Sequence, residues 1–101
     1  MSEWMNLPNV RVFQPDCILS TLTGRDLLNW VTDTLADGTT HLVIDCRNLG
    51  FMDVGGLGAL AGALGRVRRA SGTLTLHGIP DQPQMVLKMA DMLNAFDPLP
   101  S

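Results

Sequence analysis

From Leu49 to Leu64 the chain has no Ser, Thr, Cys, His, Lys or Arg, and its only ionisable group is Asp53. General acid–base or nucleophilic chemistry needs a second acid, a base or a metal ligand beside such a carboxylate. None is close in sequence, so the most glycine-rich part of the chain is built for contact rather than bond-making. Cysteine is scarce too. Cys17 and Cys46 each sit in an apolar run and read as reduced, buried thiols of a cytoplasmic protein rather than a disulfide. With His41 and His77 they could be grouped as a zinc set, but no C-x-x-C or H-x-x-x-H spacing supports one. No Gly-Lys-Ser/Thr follows a glycine loop, which removes a P-loop. The N-terminus lacks a basic-then-apolar leader pattern. The longest uncharged apolar run, Val54 to Gly65, falls short of the roughly 20 residues that span a bilayer.

Charge is also sparse. Charged residues are 17% of the chain, the net charge is −3 and the pI is near 5.0. Nucleic acid rewards clustered Lys and Arg, and the only short basic cluster is Arg66, Arg68 and Arg69, read as a solvated helix end.

What is present points to a folded domain. Hydrophobic residues make up 46% of 101 residues, enough for one domain over 1–101 with its core at about 10–96. Val10 to Phe13 alternates as a strand that Pro15 ends, and Cys17-Ile18-Leu19 is a second short strand. Ser20, Thr21 or Thr23 caps a first helix running to about Ala36, with Leu27, Leu28, Val31 and Leu35 as its apolar stripe and Gly38 as its stop. Leu42-Val43-Ile44 lacks polar alternation and predicts a strand covered on both faces.

A second helix is expected from about Gly56 to Ala70. Leu57, Leu60, Leu64 and Val67 share one face, Gly58, Ala61, Gly62 and Gly65 allow close approach to the sheet, and Gly72 stops it. Thr73 to His77 alternates as a half-exposed strand. A third helix runs to about Leu93, opened by an Asp81–Gln84 capping box with Pro83 in the first turn. Its Met85, Met89 and Met92 are read as core, with binding as the alternative. Trp4 and Trp30 are isolated, and Trp30 lies beside its helix's stripe. The tail Phe96 to Pro100 is expected to dock loosely. Strands alternating with helices imply a mostly parallel sheet.

The segment Asp53-Val54-Gly55-Gly56-Leu57-Gly58-Ala59-Leu60, after the run Leu42 to Cys46, reads as a strand, a short loop and a helix start. A helix start presents unpaired N–H groups and the positive end of the peptide dipoles. Such a tip suits anions or a partner's acidic groups. Asp53 caps the helix, contacts a partner, or both. Gly56-Leu57-Gly58-Ala59-Leu60-Ala61 formally matches the dinucleotide fingerprint, but the acid expected about 20 residues later is replaced by Leu76 and His77.

Pro15 to Leu19, Leu42 to Cys46, Phe51-Met52-Asp53 followed by Gly56-Leu57-Gly58-Ala59-Leu60, and Gly72 to Leu76 together resemble the STAS family of bacterial anti-sigma-factor antagonists and sulfate-transporter domains. The strand and the F-M-D-S-S-G-L-G-like loop carry most of that resemblance. It implies a single α/β domain, a small mixed and mostly parallel sheet with helices mainly on one face. It implies a noncatalytic protein-binding role in a bacterial regulatory pathway, without cofactor or metal. In relatives resembling this chain, the second serine of the loop is the phosphoacceptor of a kinase that is also the anti-sigma factor. Its counterpart here is Gly55, preceded by Val54, so neither position holds a hydroxyl. Ser20 stands where many relatives carry Asp, and the resemblance brings Ser20 and Thr21 near Asp53, as capping groups or as a relocated acceptor.

The expected contact surface is Asp53, Val54, Gly55, Gly56 and Leu57 with Ser20 and Thr21. The expected partner is an anti-sigma factor, a serine-kinase-type protein or another STAS protein, with homo-oligomers compatible and neither nucleic acid nor a membrane span implied. Two rivals stay open: a nucleotide or small-anion site on the N–H groups of Val54 to Leu57, and a dinucleotide-binding enzyme fragment.

Overall fold

The computed structural model describes residues 7–99. Five strands and three helices follow one another: β1 (Val10–Phe13), β2 (Cys17–Leu19), α1 (Thr21–Ala36), β3 (His41–Asp45), β4 (Leu49–Met52), α2 (Val54–Arg69), β5 (Thr73–His77) and α3 (Asp81–Met89). Every described strand pairing is parallel. One sheet runs β1-β3-β5 and a second pairs β2 with β4. Strand side chains alternate in direction. Leu42, Ile44 and Leu74 therefore join Leu27, Val31, Leu60, Val67 and Leu87 of the helices in the main core. Val43 instead packs with Val10, Leu7 and Val12 on the far face. The helices thus lie mainly on one side, and β3 is covered on both faces, as its unbroken apolar run predicts. Each such buried leucine contributes about 1.5–3 kcal/mol.

The β4 strand has no counterpart in the sequence reading, which took Leu49 to Met52 for the end of a loop. Its four residues include Gly50, and only Leu49 and Met52 are buried, so neither alternation nor an apolar run marks it. Tertiary contacts hold it instead. Besides its ladder to β2, the Gln82 side chain accepts from the Met52 N–H (2.8 Å) and donates to the Met52 carbonyl (3.0 Å), like one more strand residue. This fixes α3 against the strand that leads into α2.

Several local expectations change. The helix α2 starts at Val54 and ends at Arg69, and it is Ser71, not Gly72, that takes up the left-handed region just beyond it (φ 59°). Its inner face is Gly56, Ala59, Leu60, Ala63 and Val67. Leu57 and Leu64 are half-buried, while Gly58, Ala61 and Gly62 face solvent. A Cβ on Gly58 would meet nothing within 4 Å, so that glycine brings no element closer. The helix α3 ends at Met89, with Asp91 at φ 57° closing it through the Met92 N–H to Leu87 carbonyl bond (2.8 Å). Pro80 precedes α3 without any side-chain cap bond, so the Asp81–Gln84 box does not form. Met85 and Met89 are exposed rather than core, with Met92 half-buried.

Cys46 is buried as expected, but Cys17 is exposed. Cys17 stays paired with Leu49, but a register shift between Cys17 and Ile18 and a positive φ of 61° break the regular strand at this exposed residue. Both thiols are free, and burial pushes the Cys46 thiol up to about 12.

The tail is not loose. The Asp97 N–H reaches the Leu74 carbonyl (2.9 Å), the Asp97 carboxylate accepts from the Leu74 N–H (2.8 Å), and the Thr75 hydroxyl donates to the Pro98 carbonyl (3.0 Å). Arg68 bonds the Ala95 carbonyl and Asp97, and Arg66 bonds the Leu28 carbonyl and the Thr32 hydroxyl of α1. Two of the three clustered arginines therefore tie elements together instead of simply facing solvent. Trp30 is half-buried against Phe13, ring centroids 5.3 Å apart. Trp4 and Pro100 lie outside the described residues.

Asp45, at the end of β3, is 1% exposed and takes three short bonds from the Arg47 guanidinium (2.6–3.1 Å). Those bonds hold its carboxyl below the ordinary value of 3.8 against the opposing pull of desolvation. A carboxylate whose folded value is depressed stabilises above its unfolded value and loses that contribution as pH falls through the folded one. Asp45→Asn is therefore less stable than wild type at pH 7, and the gap between their thermal midpoints closes as pH drops below about 3.8. Melts from pH 7 to pH 2 test this; a gap constant with pH would refute it.

Candidate functional site

The starts of α1 and α2 meet at one corner of the molecule. Ser20 is the N-cap of α1: its hydroxyl accepts from the Thr23 N–H, and the Thr23 hydroxyl accepts from the Ser20 N–H (2.8 Å) and donates to the Ile18 carbonyl (3.0 Å). Asp53 is the N-cap of α2, its carboxylate accepting from the Gly56 N–H (2.9 Å). The Asp53 N–H reaches the Leu19 carbonyl at 3.2 Å, so the β2–β4 ladder runs straight into this cap. A serine and an aspartate before an apolar-periodic run are the residues a helix start needs.

Two glycines allow the approach. A Cβ on Gly55 would collide with the Thr21 hydroxyl oxygen and lie 2.6 Å from the Thr21 backbone nitrogen. A Cβ on Gly56 would collide with the Leu19 carbonyl oxygen and sit 2.6 Å from its carbon. Real Cβ atoms essentially never come within 3.0 Å of an atom outside their own residue and its chain neighbours. The structure thus brings Ser20, Thr21, Asp53, Val54, Gly55, Gly56 and Leu57 into one place, with Gly56 buried beneath the rest. Of the three hydroxyls on the α1 side, those of Ser20 and Thr23 are committed to the cap. Thr21 is exposed and its hydroxyl has no hydrogen bond among the described residues.

The corner's outer surface is apolar. Val54 is 82% and Leu22 73% exposed, and Ile18 and Phe51, register partners in the strands that lead into the two caps, are exposed as well. Leu22 falls in the Ser20–Gly24 segment expected beside the contact surface, whereas Ile18 and Phe51 had no place in it; they sit in strands too short for alternation to orient them.

The anion rival loses donors here. Asp53 takes the Gly56 N–H with its carboxylate and the Leu57 N–H with its carbonyl (3.0 Å). The dinucleotide rival loses its loop, because Gly56 and Gly58 lie inside α2 instead of before it. His41 and His77 stand at opposite ends of parallel strands, and His41 bonds the Thr73 hydroxyl (2.8 Å). Among the described residues no three His, Cys, Asp or Glu gather as metal ligands would, and no helix is long and apolar enough to cross a membrane.

The STAS domain profile matches residues 6–100. The chain belongs to the STAS family. This STAS domain is similar in fold to a Thermotoga maritima protein assigned as an anti-sigma factor antagonist, with 18% identity. Its crystal structure gives a TM-score of 0.76, over 85% of this chain and 74% of that one. An NMR structure of protein TM1081 gives a TM-score of 0.75 over 85% and 70% of the two chains, also at 18% identity. The anti-sigma factor antagonist SpoIIAA, solved in its unphosphorylated form, gives 0.73 at 15% identity, over 88% of this chain and 78% of its own. A sequence comparison with curated proteins returns no match.

Proposed function

We propose that this STAS domain is a noncatalytic protein-binding module of the anti-sigma factor antagonist kind, docking through the corner formed by Asp53, Val54, Gly55, Gly56 and Leu57 with Ser20 and Thr21. The partner is an anti-sigma factor or serine-kinase-type protein. Gly55 stands at the position of the acceptor serine, so docking is not released by phosphorylation there. One observation carries this reading. The corner is exposed and apolar, yet the space a side chain at position 55 would fill is already taken by Thr21. The names of the fold neighbours support the pathway class. Phosphorylation would place about −1.5 to −2 charges beside Asp53, whereas glycine offers no oxygen to receive them.

Val54→Asp tests the docking surface without disturbing the fold, because an exposed side chain away from core contacts changes stability by about ±0.5 kcal/mol at most. The captured partner should bind this variant roughly 30-fold or more weakly, the loss of one hot-spot residue. Undiminished binding would place the interface elsewhere. Incubation of the complex with ATP should leave residues 49–64 unlabelled. Phosphate on Thr21, the corner's uncommitted hydroxyl, would overturn the unswitched reading.

A further inference from the structure

Beside the corner, β1, β2 and the first turns of α1 enclose a concavity of about 260 Å³. Its apolar wall is Phe13, Ile18 and Leu19, and its polar lining includes Asp16 and Asp26, one from the β1–β2 link and one from α1. Among the described residues no basic one lines it. We propose that this concavity receives one basic side chain, arginine or lysine, of the protein that docks on the corner. The inference rests on the docking reading above and adds to it the chemistry of the partner's anchor.

Size limits the occupant. Small-molecule sites run to roughly 300–1,000 Å³, so this volume suits a side chain better than a nucleotide. Charge selects it. Asp45, Asp53 and Asp97 are each committed to a cation or to backbone N–H groups. The Asp16 and Asp26 side chains have no hydrogen bond or ion pair among the described residues. An arginine or lysine lays its methylenes on apolar surface and carries its charge to the end; a guanidinium can fork onto carboxylates. The walls are held before binding, with Phe13 backed by Trp30 and the neighbouring Thr23 hydroxyl fixed in the α1 cap. The pocket also adjoins the corner, because Leu19 and Thr23 line it and flank Ser20 and Thr21 in the chain.

N-acetyl-arginine amide is the probe. Titrated into the ¹⁵N-labelled chain, it should shift the amides around Gln14, Asp16, Thr23 and Asp26 saturably, and N-acetyl-glutamate amide should not. The exposed double substitution D16N/D26N should weaken the arginine response at least tenfold while leaving the spectrum folded. No saturable shift, or an equal response in D16N/D26N, would overturn the proposal. The captured partner separates the two readings. If D16N/D26N binds it like wild type while Val54→Asp loses it, the pocket assignment falls and docking at the corner stands. If Val54→Asp keeps full partner affinity while the arginine probe still saturates, the docking surface is wrong and the pocket's preference for a basic group holds.

Discussion

Gly56→Ala lowers the thermal midpoint of this domain by about 4–24 °C, while Gly58→Ala, two residues along the same helix, raises it. The opposite signs follow from what each new methyl meets. At position 56 it runs into the Leu19 carbonyl, a backbone group that also accepts the Asp53 N–H. It cannot swing aside as a side-chain tip would. Overpacking of this kind costs about 1–3 kcal/mol and occasionally more. For a domain this size each kcal/mol moves the midpoint by roughly 4–8 °C. At position 58 the methyl meets open space, so the helix gains the ~1 kcal/mol that separates alanine from glycine. Circular dichroism melts of the two variants decide the matter. Equal shifts would mean that Gly56 is not the contact between α2 and β2.

That contrast also marks how far the sequence could be read. The strands β1, β2, β3 and β5, the length of α1 and the capping roles of Ser20 and Asp53 were legible, because short apolar runs, helical spacing and N-cap chemistry act locally, although β5 buries Thr75 beside Leu74 instead of alternating. The glycines were legible only as a group. Which of them mattered depends on what lies across the packing interface. Gly58 and Gly62, expected to press against the sheet, face solvent, whereas Gly55 and Gly56 lie against residues more than thirty positions earlier in the chain. The β4 strand escaped for a related reason, since its conformation is stabilised by β2 and by the Gln82 amide rather than by its own pattern. The α3 capping box failed because Pro80, not Asp81, occupies the cap position. In the candidate site, Asp53 to Leu57 with Ser20 and Thr21 could be placed from residue type and resemblance. The exposed Ile18 and Phe51 and the Asp16–Asp26 concavity could not, because they arise from side chains brought together by the β2–β4 pairing and the start of α1.

The second large effect concerns Gly55 and Thr21, which compete for one volume. Gly55→Ser puts a hydroxyl at the α2 start, but its Cβ must displace the Thr21 side chain and press on the Thr21 backbone nitrogen, 2.6 Å away. Because α1 and α2 both begin here, the strain falls on two helix starts, and a loss of about 1–3 kcal/mol is expected. Thr21→Ala alone is nearly neutral, since Thr21 is exposed and its hydroxyl makes no hydrogen bond among the described residues. Combined with Gly55→Ser, it removes the nearest obstructing atom and should recover part of the loss. Recovery stays partial because the backbone nitrogen remains. The double-mutant cycle should therefore show a favourable coupling of about 0.5–3 kcal/mol, the range for residues in contact. Additive denaturation free energies would mean that the two positions do not share space. The consequence for regulation is direct. A serine at position 55 requires a smaller residue at 21 or a shifted α1, so the corner is packed around its glycine and Gly55→Ser alone should not fit there without loss of stability.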